Sequence, residues 1–176
     1  TSRLVGSEMC IRDRYIATLN NTHFELIKKC SENNKNILCE KPFTLNYDEG
    51  REVYDYITKN RIIFYEGFAY RSHPQTKIIQ DIVQNNELGE IKNIQSSFGF
   101  KINKIKPDSR LFDKKLGGGA ILDVGCYPLS ILNLFYKDPD SYKFLNTKGN
   151  LTHTNVDDFA EACLLYTSDA ADDWQG

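Results

Sequence analysis

The sequence predicts an α/β fold in two units: a parallel sheet with crossover helices, then a unit with a half-exposed strand typical of an antiparallel sheet. Three observations predict it. Short apolar runs alternate with Lys/Glu-rich helical patterns through the first part of the chain. From Ile94 to Ile102 the apolar residues Ile94, Phe98, Phe100 and Ile102 all fall on even positions, the period of a strand with one wet face. Between these regimes the pattern changes at Arg71 to Pro74, where the spacing places a unit boundary.

Taken in order, Tyr15-Ile16-Ala17-Thr18 reads as a buried strand feeding the polar loop Leu19-Asn20-Asn21. Thr22 followed three residues later by Glu25 has capping-box form. Phe24, Ile27 and Cys30 then follow at helical spacing, predicting a helix over 22–34. Ile37-Leu38-Cys39 is the pivotal strand. It stops at Glu40-Lys41-Pro42, where proline ends pairing and stiffens the turn. Asn46 caps a second helix over 46–60, with Asp48 and Glu49 in its first turn and Tyr47, Val53, Tyr54 and Ile57 on its buried face. Ile62-Ile63-Phe64-Tyr65 is a third strand. The β-α-β-α-β order implies right-handed crossovers and parallel pairing.

Beyond the boundary, Pro74 starts a helix whose apolar stripe is Ile78, Ile79, Ile82 and Val83. Ile94, Phe98, Phe100 and Ile102 alternate with polar residues as a half-exposed strand. Residues 103–116 are a charged surface loop, and Gly117-Gly118-Gly119 opens a helix from Ala120. Another strand or two fall within 151–165, with Asn155-Val156-Asp157-Asp158 as a turn. Residues 1–14 and 164–176 read as non-native, adapter-like ends. That leaves units at 15–73 and 74–163.

Composition narrows the classes. The chain has 176 residues, 40% hydrophobic and 26% charged, as in ordinary globular proteins. A net charge of -2 supplies neither a nucleic-acid-binding field nor a polybasic membrane patch, and no apolar run approaches the roughly 20 residues of a bilayer span. Five scattered cysteines without a C-x-x-C pair suggest neither zinc nor a disulfide framework; reduced thiols in a cytoplasmic protein fit, with Cys39 and Cys126 as core filling. His23, His73 and His153 lack metal-ligand spacing, so no metal is expected.

Three stretches carry candidate chemistry. Lys41 stands where ligands bind in open α/β sheets, beyond the carboxyl end of a strand. Its ammonium is either a proton donor and oxygen polariser or a surface charge paired with Glu40. Asp123 and Tyr127, four apart, share one helix face on an otherwise apolar segment. Either they line a cleft or the stretch is a glycine hinge with a packed tyrosine, and Pro128 bends the helix just past them. Thr18 to His23 is either a phosphate- or ribose-holding loop at a helix start or plain capping.

The ordered set Thr18-x-Asn20-x-x-His23, Glu40-Lys41-Pro42, Glu66-Gly67-Phe68-Ala69-Tyr70-Arg71-x-His73-Pro74-Gln75, Leu88-Gly89-Glu90-Ile91 and Gly117-Gly118-Gly119-Ala120-x-Leu122-Asp123-x-Gly125-Cys126-Tyr127-Pro128 resembles the Gfo/Idh/MocA oxidoreductases. Tyrosine at 127 makes the dihydrodiol dehydrogenase and glucose–fructose oxidoreductase branch the nearest. The resemblance implies the C-terminal half of a Rossmann domain followed by a partial substrate and oligomerisation α/β unit with an open, mainly antiparallel sheet, together an internal fragment of a longer enzyme. It also implies hydride transfer between a nicotinamide and the carbinol or carbonyl carbon of a sugar, polyol or dihydrodiol. A non-catalytic dinucleotide- or sugar-sensing relative, or an inactive fragment, is the alternative.

By motif, Lys41 and Tyr127 are the implied catalytic pair and Asp123 lines the substrate pocket. Thr18, Asn20, His23, Glu40, Lys41 and Arg71 touch NAD or NADP, the branch leaning to NADP, and the Lys41–Pro42 peptide is cis. Self-association through the outer sheet face, lined by Ile94 to Ile102, is also implied. The neighbouring ammonium is expected to lower the Tyr127 titration. The Gly-x-Gly-x-x-Gly turn of such domains is missing from the sequence.

Overall fold

The computed structural model describes residues 12–135 and 142–166. Its first unit runs β1 (Asp13–Ile16), a 3-10 turn at Asn20–Thr22, α1 (His23–Glu32), β2 (Asn36–Cys39), α2 (Tyr47–Asn60) and β3 (Phe64–Glu66). The strands are parallel in the order β1-β2-β3, with Ile16 beside Cys39 and Cys39 beside Glu66. Two crossovers of one hand stepping in one direction put both helices on one face of the sheet. Ile16, Ile37 and Cys39 on that face meet Ile27 of α1 and Val53 of α2 in a closed core. Burial pushes the Cys39 thiol up to about 12, with Glu66 and Glu40 adding to it, so it is an inert filler.

The opposite face differs from the expectation of strands buried on both sides. Tyr15, Leu38 and Tyr65 stand in register there and are 62%, 45% and 67% exposed. Tyr47 and Tyr54 are also exposed; only Val53 and Ile57 of the expected α2 face reach the core. The α2 cap is as expected: Asn46 Oδ1 accepts from the Glu49 N–H at 2.9 Å, and Glu49 accepts from the Leu45 N–H. The Thr22–Glu25 capping box does not form. The 3-10 turn already winds into α1, and the Thr22 hydroxyl donates back to the Leu19 carbonyl.

In the second unit α3 (Pro74–Gln84) starts at Pro74, with the His73 ring accepting from the Gln75 N–H. Its stripe is only partly covered: Ile78 and Ile79 are exposed. Residues 91–102 take no regular secondary structure and join no ladder among the described residues, so the strand and outer sheet face expected from Ile94 to Ile102 do not form there; alternation needs a partner strand to become a sheet. A π-helical turn at Ile121–Gly125 runs into α4 (Cys126–Phe135). β4 (Tyr142–Leu151) and β5 (Asp157–Tyr166) form an antiparallel hairpin, with Asn155 taking the left-handed conformation in the turn between them. Asp157 and Asp158 belong to β5 rather than to that turn. β1 begins at Asp13 and β5 reaches Tyr166, so paired strands enter both ends that composition sets outside the fold.

The stretch Lys114–Phe135 has the apolar composition of a membrane span, with mean hydropathy 1.3. It is not one helix. Gly117 and Gly119 have positive φ, and continuous winding starts only at Ala120.

Candidate functional site

The site is built where β1 and β2 end. The Glu40 N–H still reaches the Ile16 carbonyl, and the Gly67 N–H reaches the Cys39 carbonyl at 2.7 Å, so the three strand ends stay aligned past the ladder. The Lys41–Pro42 peptide is cis, as the resemblance implies. His23 locks this edge from beneath: Nδ1 lies 2.9 Å from the Pro42 carbonyl and Nε2 lies 3.1 Å from the Thr18 carbonyl. Glu66 Oε1 accepts from the Phe43 N–H, tying in β3. Burial raises the Glu66 carboxyl above its ordinary value, against the lowering pull of that N–H, Arg71 and Lys41.

Held this way, the Lys41 side chain crosses to the second unit. Its ammonium donates to the Asp123 backbone carbonyl, lies 3.6 Å from Asp123 Oδ1, and sits 5.2 Å from the centre of the Tyr127 ring. Lys41 and Asp123 side chains are 17% and 12% exposed, which makes this a shielded charge pair. Arg110, from the loop before the glycines, adds a 2.8 Å bond to the same Asp123 oxygen. Tyr127 is boxed by Phe68 and Phe98 in edge contacts at 5.3 and 5.2 Å, with Tyr70 beyond at 6.1 Å.

Tyr127 titrates in the opposite direction from the expectation. Burial pushes its phenol above the ordinary 10.0, and Cys126, Glu40 and Asp123 push the same way. The Lys41 charge faces the ring and is matched by Asp123, so it does not lower the phenol.

The glycine stretch earns its composition. Gly117 (φ 77°) packs on the first unit so closely that a Cβ would come within 2.4 Å of Leu45 Cδ2. Its carbonyl accepts from Asn20 Nδ2. The expected bend past Pro128 takes another form: the π turn lies ahead of it, with the Cys126 N–H reaching back five residues to the Ile121 carbonyl. That winding still leaves Asp123 and Tyr127 on the Lys41 side.

The six residues expected at a dinucleotide fall into three groups. Thr18 is exposed at the end of β1 beside Leu19, 44% exposed, and its hydroxyl pairs with Thr22. Glu40 and Lys41 stand at the next strand end, Glu40 accepting from the Tyr15 hydroxyl. Thr18, Glu40 and Lys41 thus stand beyond the carboxyl ends of two adjacent parallel strands, the edge at which such sheets hold a dinucleotide. His23 differs: it is 0% exposed with both ring nitrogens engaged, so it shapes the edge from within and offers no surface. Asn20 and Arg71 stitch the units together. Arg71 donates to the Ser130 hydroxyl and carbonyl at 3.2 and 3.3 Å and covers the Phe68 ring.

Sequence reasoning misses Arg110, Ser130 and Phe98. Arg110 and Ser130 carry no local motif; Phe98 stands in the alternating run, read there as a sheet face. A cleft of about 660 Å³ opens on the far side of Tyr127, bounded by Tyr70, Phe98, Pro128 and Ile131; Lys41 and Asp123 do not line it.

With this geometry in view, residues 5–68 match the oxidoreductase family with an NAD-binding Rossmann fold, and residues 76–171 match the GFO/IDH/MocA C-terminal domain. The chain belongs to the GFO/IDH/MocA family. Among curated members of the family it is 32% identical over 155 residues to a trans-1,2-dihydrobenzene-1,2-diol dehydrogenase of Xenopus tropicalis, covering 87% of this chain and 45% of that protein. It is 33% identical over 156 residues to a D-xylose 1-dehydrogenase (NADP(+)) of Haloferax volcanii, covering 89% and 47%. The chain thus spans about half the length of these relatives.

Solved structures of the family give the same fold. An aldose-aldose oxidoreductase from Caulobacter crescentus complexed with glycerol superposes with a TM-score of 0.78 at 20% identity, over 88% of this chain and 47% of that one. A 3-ketoreductase from Actinomadura kijaniata in complex with NADP and TDP-benzene gives 0.75 at 23% identity, over 93% and 51%.

Proposed function

We propose that this chain carries the reacting groups of an NAD(P)-dependent oxidoreductase that moves hydride between a nicotinamide and the carbinol or carbonyl carbon of a sugar, polyol or dihydrodiol. The observation that supports it most is the meeting of Lys41, Asp123 and Tyr127 from two units 82 or more residues apart in sequence. NADP is the favoured cofactor, because both the xylose dehydrogenase relative and the superposed ketoreductase carry NADP in their names.

When bound, the nicotinamide supplies or accepts the hydride. The chain's own residues manage charge and proton. In the reducing direction the substrate carbonyl oxygen gains the electron pair of its C=O bond and takes the phenolic proton of Tyr127. Lys41 polarises that oxygen, while Asp123 fixes where the Lys41 ammonium sits. The aromatic box of Phe68 and Phe98 holds the Tyr127 ring at one angle and limits water around it.

The test is turnover of sugars, polyols and dihydrodiols by the full-length protein, followed by nicotinamide absorbance, with Lys41→Met and Tyr127→Phe beside it. Each substitution is expected to remove most turnover while cofactor binding persists. Undiminished turnover in both variants would overturn the assignment.

A further inference from the structure

We infer that Asp157, the first residue of β5, is a positioning residue for Asp123 and Tyr127; this rests on the role proposed above for the Lys41–Tyr127 pair. Asp157 comes from the hairpin, remote in sequence from the glycine stretch, yet both its carboxylate oxygens are placed on that stretch. Oδ2 accepts from the Ile121 N–H at 2.6 Å. Oδ1 lies over Gly119 so closely that a Cβ there would stand 2.2 Å from it. Gly119 has φ 122°, a conformation favouring glycine, and its carbonyl accepts from the Asp123 N–H at 3.0 Å.

Ile121 is therefore the hinge of the arrangement. Its N–H is fixed by Asp157, and its carbonyl takes the five-residue-long bond from Cys126 that opens the helix by an extra residue. Everything downstream is rotated by that winding, Tyr127 most consequentially, since its ring must meet the Lys41 ammonium. A carboxylate at the start of a helical segment is also favoured by the partial positive charge of the unpaired N–H groups there. The hairpin thus determines the angle at which the phenol faces the amine. Asp157 touches none of the reacting groups.

Three variants test this in the complete chain by amide hydrogen exchange and by the ring signals of Tyr127 in NMR, assigned with Tyr127→Phe. Asp157→Ala is expected to speed exchange at the Ile121 amide about tenfold, the effect of losing one cap hydrogen bond, and to shift the Tyr127 ring signals. Asp157→Asn keeps an oxygen for the same N–H and is expected to restore most of the protection. If Asp157→Ala fails to fold, Gly119→Ala decides, because its methyl must displace the carboxylate and expose Ile121 equally. An Ile121 amide whose exchange is unmoved by Asp157→Ala or Gly119→Ala overturns the inference, as does failure of Asp157→Asn to protect it.

Turnover separates this from the underlying reading. If Asp157→Ala loosens Ile121 while Lys41→Met and Tyr127→Phe keep full activity, the anchor stands and the catalytic pair falls. If the pair is essential but Asp157→Ala leaves kcat, KM and Ile121 untouched, the anchor alone falls.

Discussion

The Lys41 ammonium lies 5.2 Å from the centre of the Tyr127 ring while its charge is matched by Asp123 3.6 Å away. One cation therefore serves two partners, and removing it changes both. For Lys41→Met we expect kcat to fall about 10²- to 10⁴-fold, the range for a positioned acid–base group. Tyr127→Phe should fall by a similar factor, and the double variant by little more than either single one, because the two act as a unit. Steady-state kinetics on the four proteins checks this; multiplied losses in the double variant would show independent roles.

Arg110 is expected to tune the pair rather than join it. It shares Asp123 Oδ1 with Lys41, but its side chain is 57% exposed, so water screens much of the attraction. Arg110→Ala should lower kcat/KM by roughly three- to tenfold, equivalent to about 1 kcal/mol. Arg110→Lys should recover part of it. A loss as large as that of Lys41→Met would instead mean that Arg110 contacts substrate directly.

The contrast between Lys41 and Arg110 shows what sequence can carry. Lys41 is legible because a strand end followed by proline fixes its place by local chemistry, and Asp123 and Tyr127 are legible because four-residue spacing survives even a π turn. The three parallel strands and four helices follow in the same way from apolar period and caps. Arg110 and Asp157 are illegible: each reaches its partner through a loop or hairpin whose path depends on tertiary packing. The alternation at Ile94 to Ile102 misleads for a related reason. Period two records a preference for an edge to pair with, and among the described residues no strand lies beside it.

The pH dependence follows from the direction of the Tyr127 shift. Its phenol titrates above 10.0 because of burial, so the protonated form dominates across the physiological range. Carbonyl reduction needs that proton, and its kcat/KM should stay flat until the pH passes about 10, then fall. Alcohol oxidation needs the phenolate, so its rate should rise with pH throughout the range in which reduction is flat and level off only beyond it. Paired pH profiles in the two directions check this, and an oxidation rate that levels off near neutrality would contradict the structure.

His23 predicts a stability effect coupled to the site. Its ring is fully buried and faces two backbone carbonyls, at Pro42 and Thr18. His23→Ala leaves a cavity and takes away the ring N–H that one of the two carbonyls accepts, costing roughly 2–4 kcal/mol. Urea unfolding measures the loss. Because the Pro42 carbonyl neighbours Lys41, cofactor binding should weaken as well, whereas Ile27→Val, in the same core but away from that edge, should lower stability and leave binding alone.

Glu66 predicts the opposite sign. Its carboxyl is raised above 4.5 by burial, which outweighs the Phe43 N–H and the charges of Arg71 and Lys41. A carboxyl that holds its proton more tightly when folded contributes stability that is fully present below the unfolded value. That contribution is lost as pH rises through the higher folded value. At pH 7 this contribution is reduced relative to acid pH, so the carboxyl costs stability there. Glu66→Gln removes the ionisation but keeps an oxygen for the Phe43 N–H, so its Tm at pH 7 should exceed that of the parent. The difference should shrink as the pH falls toward 4.5 and below. Thermal melts at pH 7 and pH 4 measure it, and a variant less stable at pH 7 than at pH 4, relative to the parent, would mean that Arg71 and Lys41 outweigh burial at this carboxylate.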